Sequence, residues 1–210
     1  MLPVTPFQLP LSPEGVEHRL SDGKRVVLRP IRPTDADELR AGFGRLSERS
    51  RFLRFFTPMA ELSDDWTRRL TQLDHRTHRA WVAYDPDAAA PPPGLGVGVG
   101  RLVQLEGRPE AAEAAVAVTD DYQRRGIGRL LLRIVAGTAV ASGYDVLVTE
   151  VLRENASMLS LLREFGEPIT VVGDGATVHI EVRLDSATDD EVVAGALYDL
   201  LRLAATVDEV

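Results

Sequence analysis

Residues 114–128 read Ala114-Ala-Val-Ala-Val-Thr-Asp-Asp-Tyr-Gln-Arg-Arg-Gly-Ile-Gly128. Ala114 to Val118 is an unbroken small apolar run of strand type, and Thr119 to Tyr122 is polar and turn-forming. Beyond it, Ile127, Leu130, Leu131 and Ile134 fall on one side of an amphipathic helix running over Gly126 to Ala141. The stretch therefore predicts a strand, a tight turn and a helix. A helix N-terminus presents unpaired N–H groups and a partial positive charge. Glycine lets an anion approach that backbone closely, and Arg124, Arg125 and Arg129 add positive charge. Such a turn suits a diphosphate. A P-loop needs a Gly-Lys-Ser/Thr ending, which is missing, and a dinucleotide fingerprint needs a third glycine where Leu131 stands. The alternative is a glycine-rich turn that does no more than pack a helix on a strand.

Outward from this turn, apolar runs and punctuating residues mark further elements. On the N-terminal side, strands are expected over Arg25 to Ile31, Ala80 to Tyr84, Leu95 to Leu105 and Ala111 to Thr119. Between the first two, Pro33-Thr-Asp-Ala-Asp37 opens a helix near Asp35, Ser47 caps a second, and Ser63 with Asp64 and Asp65 opens a third that ends near Asp74. On the C-terminal side follow a strand over Tyr144 to Val151, a short helix over Asn155 to Phe165, and two strands over Ile169 to Val172 and Ala176 to Leu184. Thr188-Asp-Asp-Glu191 is a capping box for a terminal helix striped by Val193, Leu197, Leu200, Leu201 and Ala204. The order of elements predicts a mixed α/β layer domain rather than a regular βαβ alternation. Residues 1–22, Pro-rich and aperiodic, are expected as an N-terminal arm.

Composition narrows the function. Of the 210 residues, 44% are hydrophobic and 27% charged, the balance of an ordinary globular domain. There is no cysteine, which excludes disulfides, thiolate catalysis and Cys-based metal sites, and no metal is expected. A net charge of -8 disfavours a nucleic-acid partner and mildly favours a cationic amine. Basic residues still cluster over Arg45 to Arg54 and Arg124 to Arg133, where a solvated helix face is the plain alternative. No apolar run approaches the roughly 20 residues that cross a bilayer. Met1 to Pro13 lacks the basic-then-apolar pattern of a secretory signal. A cytoplasmic location without membrane attachment is expected.

Gln123-Arg-Arg-Gly-Ile-Gly128 matches the Q/R-x-x-G-x-G/A signature of the GNAT superfamily of N-acetyltransferases. Glu154-Asn-Ala-Ser-Met158 followed by Leu161-Leu-Arg-Glu-Phe-Gly166 resembles that family's later motif, in which an Asn begins a short helix ending in glycine. The resemblance spans residues 25–184. Within it, Leu46-Ser-Glu-Arg-Ser-Arg-Phe-Leu-Arg-Phe-Phe56 and Leu73-Asp-His-Arg-Thr-His-Arg-Ala-Trp-Val-Ala83 are similar to bacterial protein lysine acetyltransferases of the Pat type. The implied fold is a mixed, mostly antiparallel sheet of about seven strands flanked by helices. It would occupy residues 23–184, with a C-terminal helical appendage over 185–210 that packs on the domain or pairs two copies, leaving monomer and homodimer both open.

The implied activity is transfer of an acetyl group from acetyl-CoA to a primary amine by direct attack, with no covalent enzyme intermediate. The acceptor is a small molecule or, as the Pat-type likeness suggests, a protein lysine. The resemblance implies that Val116, Ala117 and Val118 grip the pantetheine arm and that a strand N–H there serves as oxyanion donor. It places the diphosphate at Gln123, Arg124, Arg125, Gly126, Ile127, Gly128 and Arg129, and further contacts at Asn155, Ser157 and Met158. An amine near pKa 10.4 needs a base at neutral pH. Glu113 is the first candidate, with Glu110 competing. His78 is the second, with His75 beside it, at a place where Pat-type relatives carry a glutamate. Leu162 stands where many members have a tyrosine as general acid, Tyr122 sits beside the turn instead, and Glu167 replaces the usual Phe. These departures keep open a non-catalytic acyl-CoA-binding regulatory module.

Overall fold

In the computed structural model, which describes residues 15–91, 94–163 and 168–184, eight strands form one sheet. They are β1 (Val16–Arg19), β2 (Arg25–Pro30), β3 (His78–Asp85), β4 (Leu95–Leu105), β5 (Arg108–Val118), β6 (Val146–Leu152), β7 (Pro168–Asp174) and β8 (Thr177–Arg183). Their order across the sheet is β1-β2-β3-β4-β5-β6-β8-β7. Every neighbouring pair is antiparallel except β5 and β6. The exception follows from connectivity, because α4 (Ile127–Ala141) carries the chain from the end of β5 back to the start of β6. Three helices lie between β2 and β3, namely α1 (Ala36–Gly44), α2 (Glu48–Phe55) and α3 (Asp64–Thr71), and α5 (Ala156–Arg163) follows β6.

The segment expected as an arm holds an edge strand where it is described, since β1 pairs with β2 from Val16↔Leu28 to Arg19↔Arg25. Its four residues are too few to show a periodicity of their own, and pairing with β2 defines them. The terminal helix expected over 185–210, residues 1–14 and Glu167 lie outside the described residues.

The two faces of the sheet bury different helices. On one, α4 sets Ile127, Leu130, Leu131, Ile134 and Val135 against Trp81, Ala83, Val97, Leu102, Ala112 and Ala114. The Gly/Val alternation of β4 is explained here. A Cβ at Gly98 would lie 2.8 Å from Leu131 Cδ1, and one at Gly100 would lie 2.9 Å from Val135 Cγ2, so the two glycines let α4 settle close on the strand. Trp81 Nε1 donates to Thr138 Oγ1 at 3.0 Å and fixes the helix along the sheet. On the other face, Ile31, Val82 and Tyr84 pack with Leu39, and Phe43, Leu46 and Leu62 pack with Phe55 and Leu70.

Caps behave as the residue types require. Ser47 and Ser63 accept from the N–H groups of Ser50 and Trp66, three residues on. Near Asp35 the chain first makes a single 3-10 turn, Pro33–Asp35, because the Asp35 carboxylate is committed to Arg29 and to the Arg32 N–H. The third helix stops at Thr71 rather than near Asp74 for a similar reason. Asp74 accepts from the N–H groups of Arg76, Thr77 and His78 and turns the chain into β3.

Candidate functional site

The parallel pairing of β5 with β6 is short. It runs from Ala111↔Val146 through Ala112↔Leu147 to Glu113↔Val148, while β5 continues to Val118 and β6 to Leu152. On its other side β5 stays paired with β4 as far as Gly98↔Val118. The two strands therefore part beyond Glu113 and leave a V-shaped cleft of about 510 Å³. Val116, Ala117 and Val118 form one wall, Asn155, Ser157 and Met158 form the facing wall, and the turn from Gln123 to Arg129 closes one end.

The closing turn is built by local conformation. Gly126 has φ 90° and caps α4 with no side-chain hydrogen bond, and Arg124 has φ 60°. A Cβ at Gly126 would meet nothing within 4 Å, so glycine is held there by its dihedral and leaves open space in front of the helix end. The result is a concave run of backbone N–H groups, with Arg124, Arg125 and Arg129 around it. Ile127 differs from its neighbours. Its side chain is buried in the core beneath α4, so only its main chain reaches the turn. Opposite, Asn155 caps α5 by accepting from the Met158 N–H at 3.1 Å. All the residues assigned to the cofactor except Ile127 thus line one cleft.

One part of the cleft has no local signal in the sequence. Asp120 accepts from the Ser47 N–H at 2.9 Å, from Ser47 Oγ at 2.7 Å and from Ser50 Oγ at 3.0 Å. Gln123 Nε2 donates to Ser50 Oγ and to the Val118 carbonyl. This clasp ties the N-terminus of α2 to the turn, so that Leu53 and Arg54 roof the cleft. Burial alone would raise the Asp120 carboxyl, but the hydrogen bonds from Ser47 and Ser50 outweigh it and hold the group below its ordinary value.

On the sheet face that carries α1, α2 and α3 lies a second cavity of about 80 Å³. Its walls are largely apolar, with Leu39, Phe43, Phe55, Leu62 and Val99 among them, and it shares Leu46, Arg54 and Ala117 with the cleft. Register places His78, Val103 and Glu113 in one cross-strand row, and Ala80, Arg101 and Ala115 in the next. Paired residues point to the same face, so both candidate bases belong to the cavity side.

The candidates differ in chemistry. Glu113 is exposed at the point where β5 and β6 part. His78 is half-buried, with Nε2 3.4 Å from Arg101 Nη1; burial and then the Arg101 charge push its pKa down to about 4. It is neutral at pH 7 and a weak base. His75 occupies the left-handed region at φ 54° in the turn before β3. The Glu110 carboxylate is bound by Arg108 at 3.1 Å, and hydrogen bonds from its own N–H and from Arg108 hold it below the ordinary range. Tyr122 donates to Asp85 Oδ2 at 2.7 Å, and burial together with that bond pushes it up to about 12, so it is committed away from the cleft. Leu162 is buried in the core and offers no proton. His179 is bound by Glu150 and Glu181, and the His18 pKa is lowered by burial and then Arg133.

Sheet order, a single parallel pair that splays, and a helix end without a side-chain cap at the splay together define an acyltransferase scaffold. The Acetyltransferase (GNAT) domain family matches residues 25–166, and the chain belongs to this family of acetyltransferases. It is 29% identical to the acetyltransferase PA5475 of Pseudomonas aeruginosa over 70% of its own length and 77% of that protein. It is 28% identical to the acetyltransferase Pat of Mycolicibacterium smegmatis over 69% of its length, spanning 41% of that longer chain. Among solved structures, the GNAT domain of S. lividans PAT superposes with a TM-score of 0.71 at 25% identity, covering 81% of this chain and 97% of that one. Among the described residues no cluster of potential metal ligands occurs, and no helix is long and apolar enough to cross a membrane.

Proposed function

We propose that the protein transfers an acetyl group from acetyl-CoA to a primary amine by direct attack. The observation that carries this is the loss of β5–β6 pairing beyond Glu113↔Val148, which opens a cleft ending on the free N-terminus of α4. The residues present fit acetyl-CoA. An unpaired helix end with three arginines suits the diphosphate, and strand edges at Val116 to Val118 offer backbone hydrogen bonds to the pantetheine arm. When bound, acetyl-CoA supplies an activated thioester.

The chain's own part is positioning and proton transfer. A backbone N–H of β5 beside the opening polarises the carbonyl oxygen. Glu113, at the same opening, takes a proton from the incoming ammonium, directly or through one water. The amine nitrogen then bonds to the carbonyl carbon and gives its second proton to water, the C–S bond breaks, and the leaving thiolate collects a proton from water. No nucleophilic side chain is needed, in keeping with a chain that has no cysteine. The Pat-type likeness makes a protein lysine the first acceptor to try.

A non-catalytic acyl-CoA-binding module is the second reading. It is favoured by the buried Leu162, which leaves no phenol on α5, and by the weak base at His78. Calorimetry with acetyl-CoA, followed by thiol release across a panel of amines and lysine peptides, separates the two. Failure of acetyl-CoA to bind at millimolar concentration overturns both. Binding without thiol release from any acceptor selects the silent module.

A further inference from the structure

Among the described residues, two cations border the second cavity with no carboxylate in contact with either. Arg101 rises from the middle of β4 and is 6% exposed. It donates to the Leu70 carbonyl at 2.8 Å and faces His78 Nε2 at 3.4 Å. Arg54 reaches over from α2, with its guanidinium 5.1 Å from the centre of the Phe55 ring, and borders both the cavity and the cleft. Among the described residues, neither has a carboxylate within ion-pair distance. Burial pushes the Arg101 pKa down to about 9 with Arg54 adding to the effect, which leaves Arg101 charged at neutral pH, and a guanidinium such as that of Arg54 keeps its charge in proteins.

The other charged groups of this cavity are satisfied. Asp35 is held by Arg29, and Glu38 by Arg45 at 2.7 Å. A guanidinium as buried as that of Arg101 opposes folding unless something neutralises it, and the half-buried Arg54 beside it adds like charge. They also repel a bare ammonium that enters the cavity. Glu113 is the acid whose charge Arg54 feels, and it stands at the opening of β5 rather than in contact with either arginine.

Resting on the N-acetyltransferase assignment, we infer that the acceptor is a small primary amine that carries a carboxylate. The carboxylate binds between Arg54 and Arg101, and the amine points past Ala115 and Ala117 toward the cleft. Size agrees with charge. At about 10–15 Å³ per water-sized group, a cavity of about 80 Å³ holds some five to eight non-hydrogen atoms, the size of an amino acid. A guanidinium matches a carboxylate through paired N–H donors, so the two arginines orient the acceptor as well as neutralise it.

The test compares glycine, β-alanine and 4-aminobutyrate with the corresponding amides as acceptors for thiol release from acetyl-CoA. The amides have the more easily deprotonated amines, so basicity alone favours them. The expected result is a kcat/KM at least tenfold higher for the best acid than for its amide. Arg54→Gln and Arg101→Gln should each bring that ratio toward one, mainly through KM, and Arg54→Lys should restore part of it. Thermal melts establish that each variant is folded, and calorimetry with acetyl-CoA separates any loss in the cleft, which Arg54 also borders, from loss at the anion site. Calorimetry with N-acetyl-4-aminobutyrate and its amide, in the presence of CoA, reads the anion site without turnover. Equal use of acids and amides, a ratio unmoved in both variants, or lysine peptides that outpace every small acid would overturn the inference and leave the N-acetyltransferase standing. No thiol release with any amine, while the acetylated acid still binds in an Arg54-dependent way, overturns the transferase and keeps the anion site. Neither turnover nor acid binding overturns both.

Discussion

Glu113 and His78 stand in one row across three strands, each paired in register with Val103 between them. Their Cα atoms are about 10 Å apart at ordinary strand spacing. Only one of the two is suited to proton abstraction. His78 turns Nε2 toward Arg101 and has a pKa of about 4, so it steadies the guanidinium rather than acting as a base. Glu113→Gln is therefore expected to lower kcat by 10²- to 10⁴-fold at unchanged acetyl-CoA affinity. His78→Gln is expected to act on the acceptor KM. Steady-state kinetics with calorimetry checks both, and equal loss of kcat in the two variants would contradict this division.

Asp120 joins the turn before α4 to the start of α2 through both Ser47 and Ser50. The clasp is solvent-exposed, so its net worth is small, about 1 kcal/mol after screening. Asp120→Ala is expected to lower stability in denaturant melts by that amount. Because Leu53 and Arg54 roof the cleft from the same helix, acetyl-CoA affinity should fall several-fold as well. The carboxyl titrates below its ordinary value when folded. Its contribution is thus full above the unfolded-state pKa and disappears as pH drops through the folded one. A cleft that binds acetyl-CoA equally well without Asp120 would show that α2 is positioned by its apolar contacts alone.

Features legible in the sequence and features hidden from it divide by distance along the chain. The strand, turn and helix from Ala114 to Ala141 were legible because their signals are local, an apolar run followed by glycines and a 3.6-residue stripe. Helix caps at Ser47 and Ser63 were legible for the same reason. The end of the third helix was not, since Asp74 serves the next turn instead of the helix before it. The Asp120 clasp joins residues 70 or more positions apart, and Arg101 meets His78 only through strand register. Nothing in the spacing of these residues could announce such contacts. Among the site candidates, Ile127 belongs to the glycine motif by position, yet its side chain lies in the core.

Gly126 and Gly100 illustrate two uses of glycine, and substitution should separate them. At Gly126 the backbone has φ 90° with open space where a Cβ would lie. Gly126→Ala is expected to cost about 1–2 kcal/mol in backbone strain and to weaken acetyl-CoA binding tenfold or more, because the methyl enters the concave turn. At Gly100 a Cβ would lie 2.9 Å from Val135 Cγ2 and 3.3 Å from the Leu131 carbonyl. Gly100→Ala is expected to cost about 1–3 kcal/mol by overpacking against α4, with little direct effect on ligand affinity. Thermal melts with and without acetyl-CoA distinguish the two. A larger ligand-induced shift in Gly126→Ala than in wild type would contradict the assignment of the turn.

Arg29 and Asp35 form the buried ion pair of the helical face, with two contacts of 2.8 and 2.7 Å and a further bond from Arg29 to the Tyr84 hydroxyl at 3.1 Å. Both side chains are almost fully buried, so removing one partner leaves the other charge uncompensated. Asp35→Asn is expected to destabilise the fold by about 3–5 kcal/mol, and Arg29→Met by a similar amount. Burial raises the Asp35 carboxyl, but the bonds from Arg29 and the Arg32 N–H overcome this and leave it below its ordinary value. A carboxyl lowered on folding contributes its full stability above the unfolded-state pKa and loses it as pH falls through the folded-state value. Denaturant melts from pH 7 toward pH 3 should therefore show a loss of stability in the wild type that is largely missing in Asp35→Asn. The pair anchors the start of α1 beside the small cavity, so acceptor KM should rise in the variant before the protein unfolds. An unchanged pH dependence in Asp35→Asn would place the acid sensitivity elsewhere, with the Asp120 clasp next to be examined.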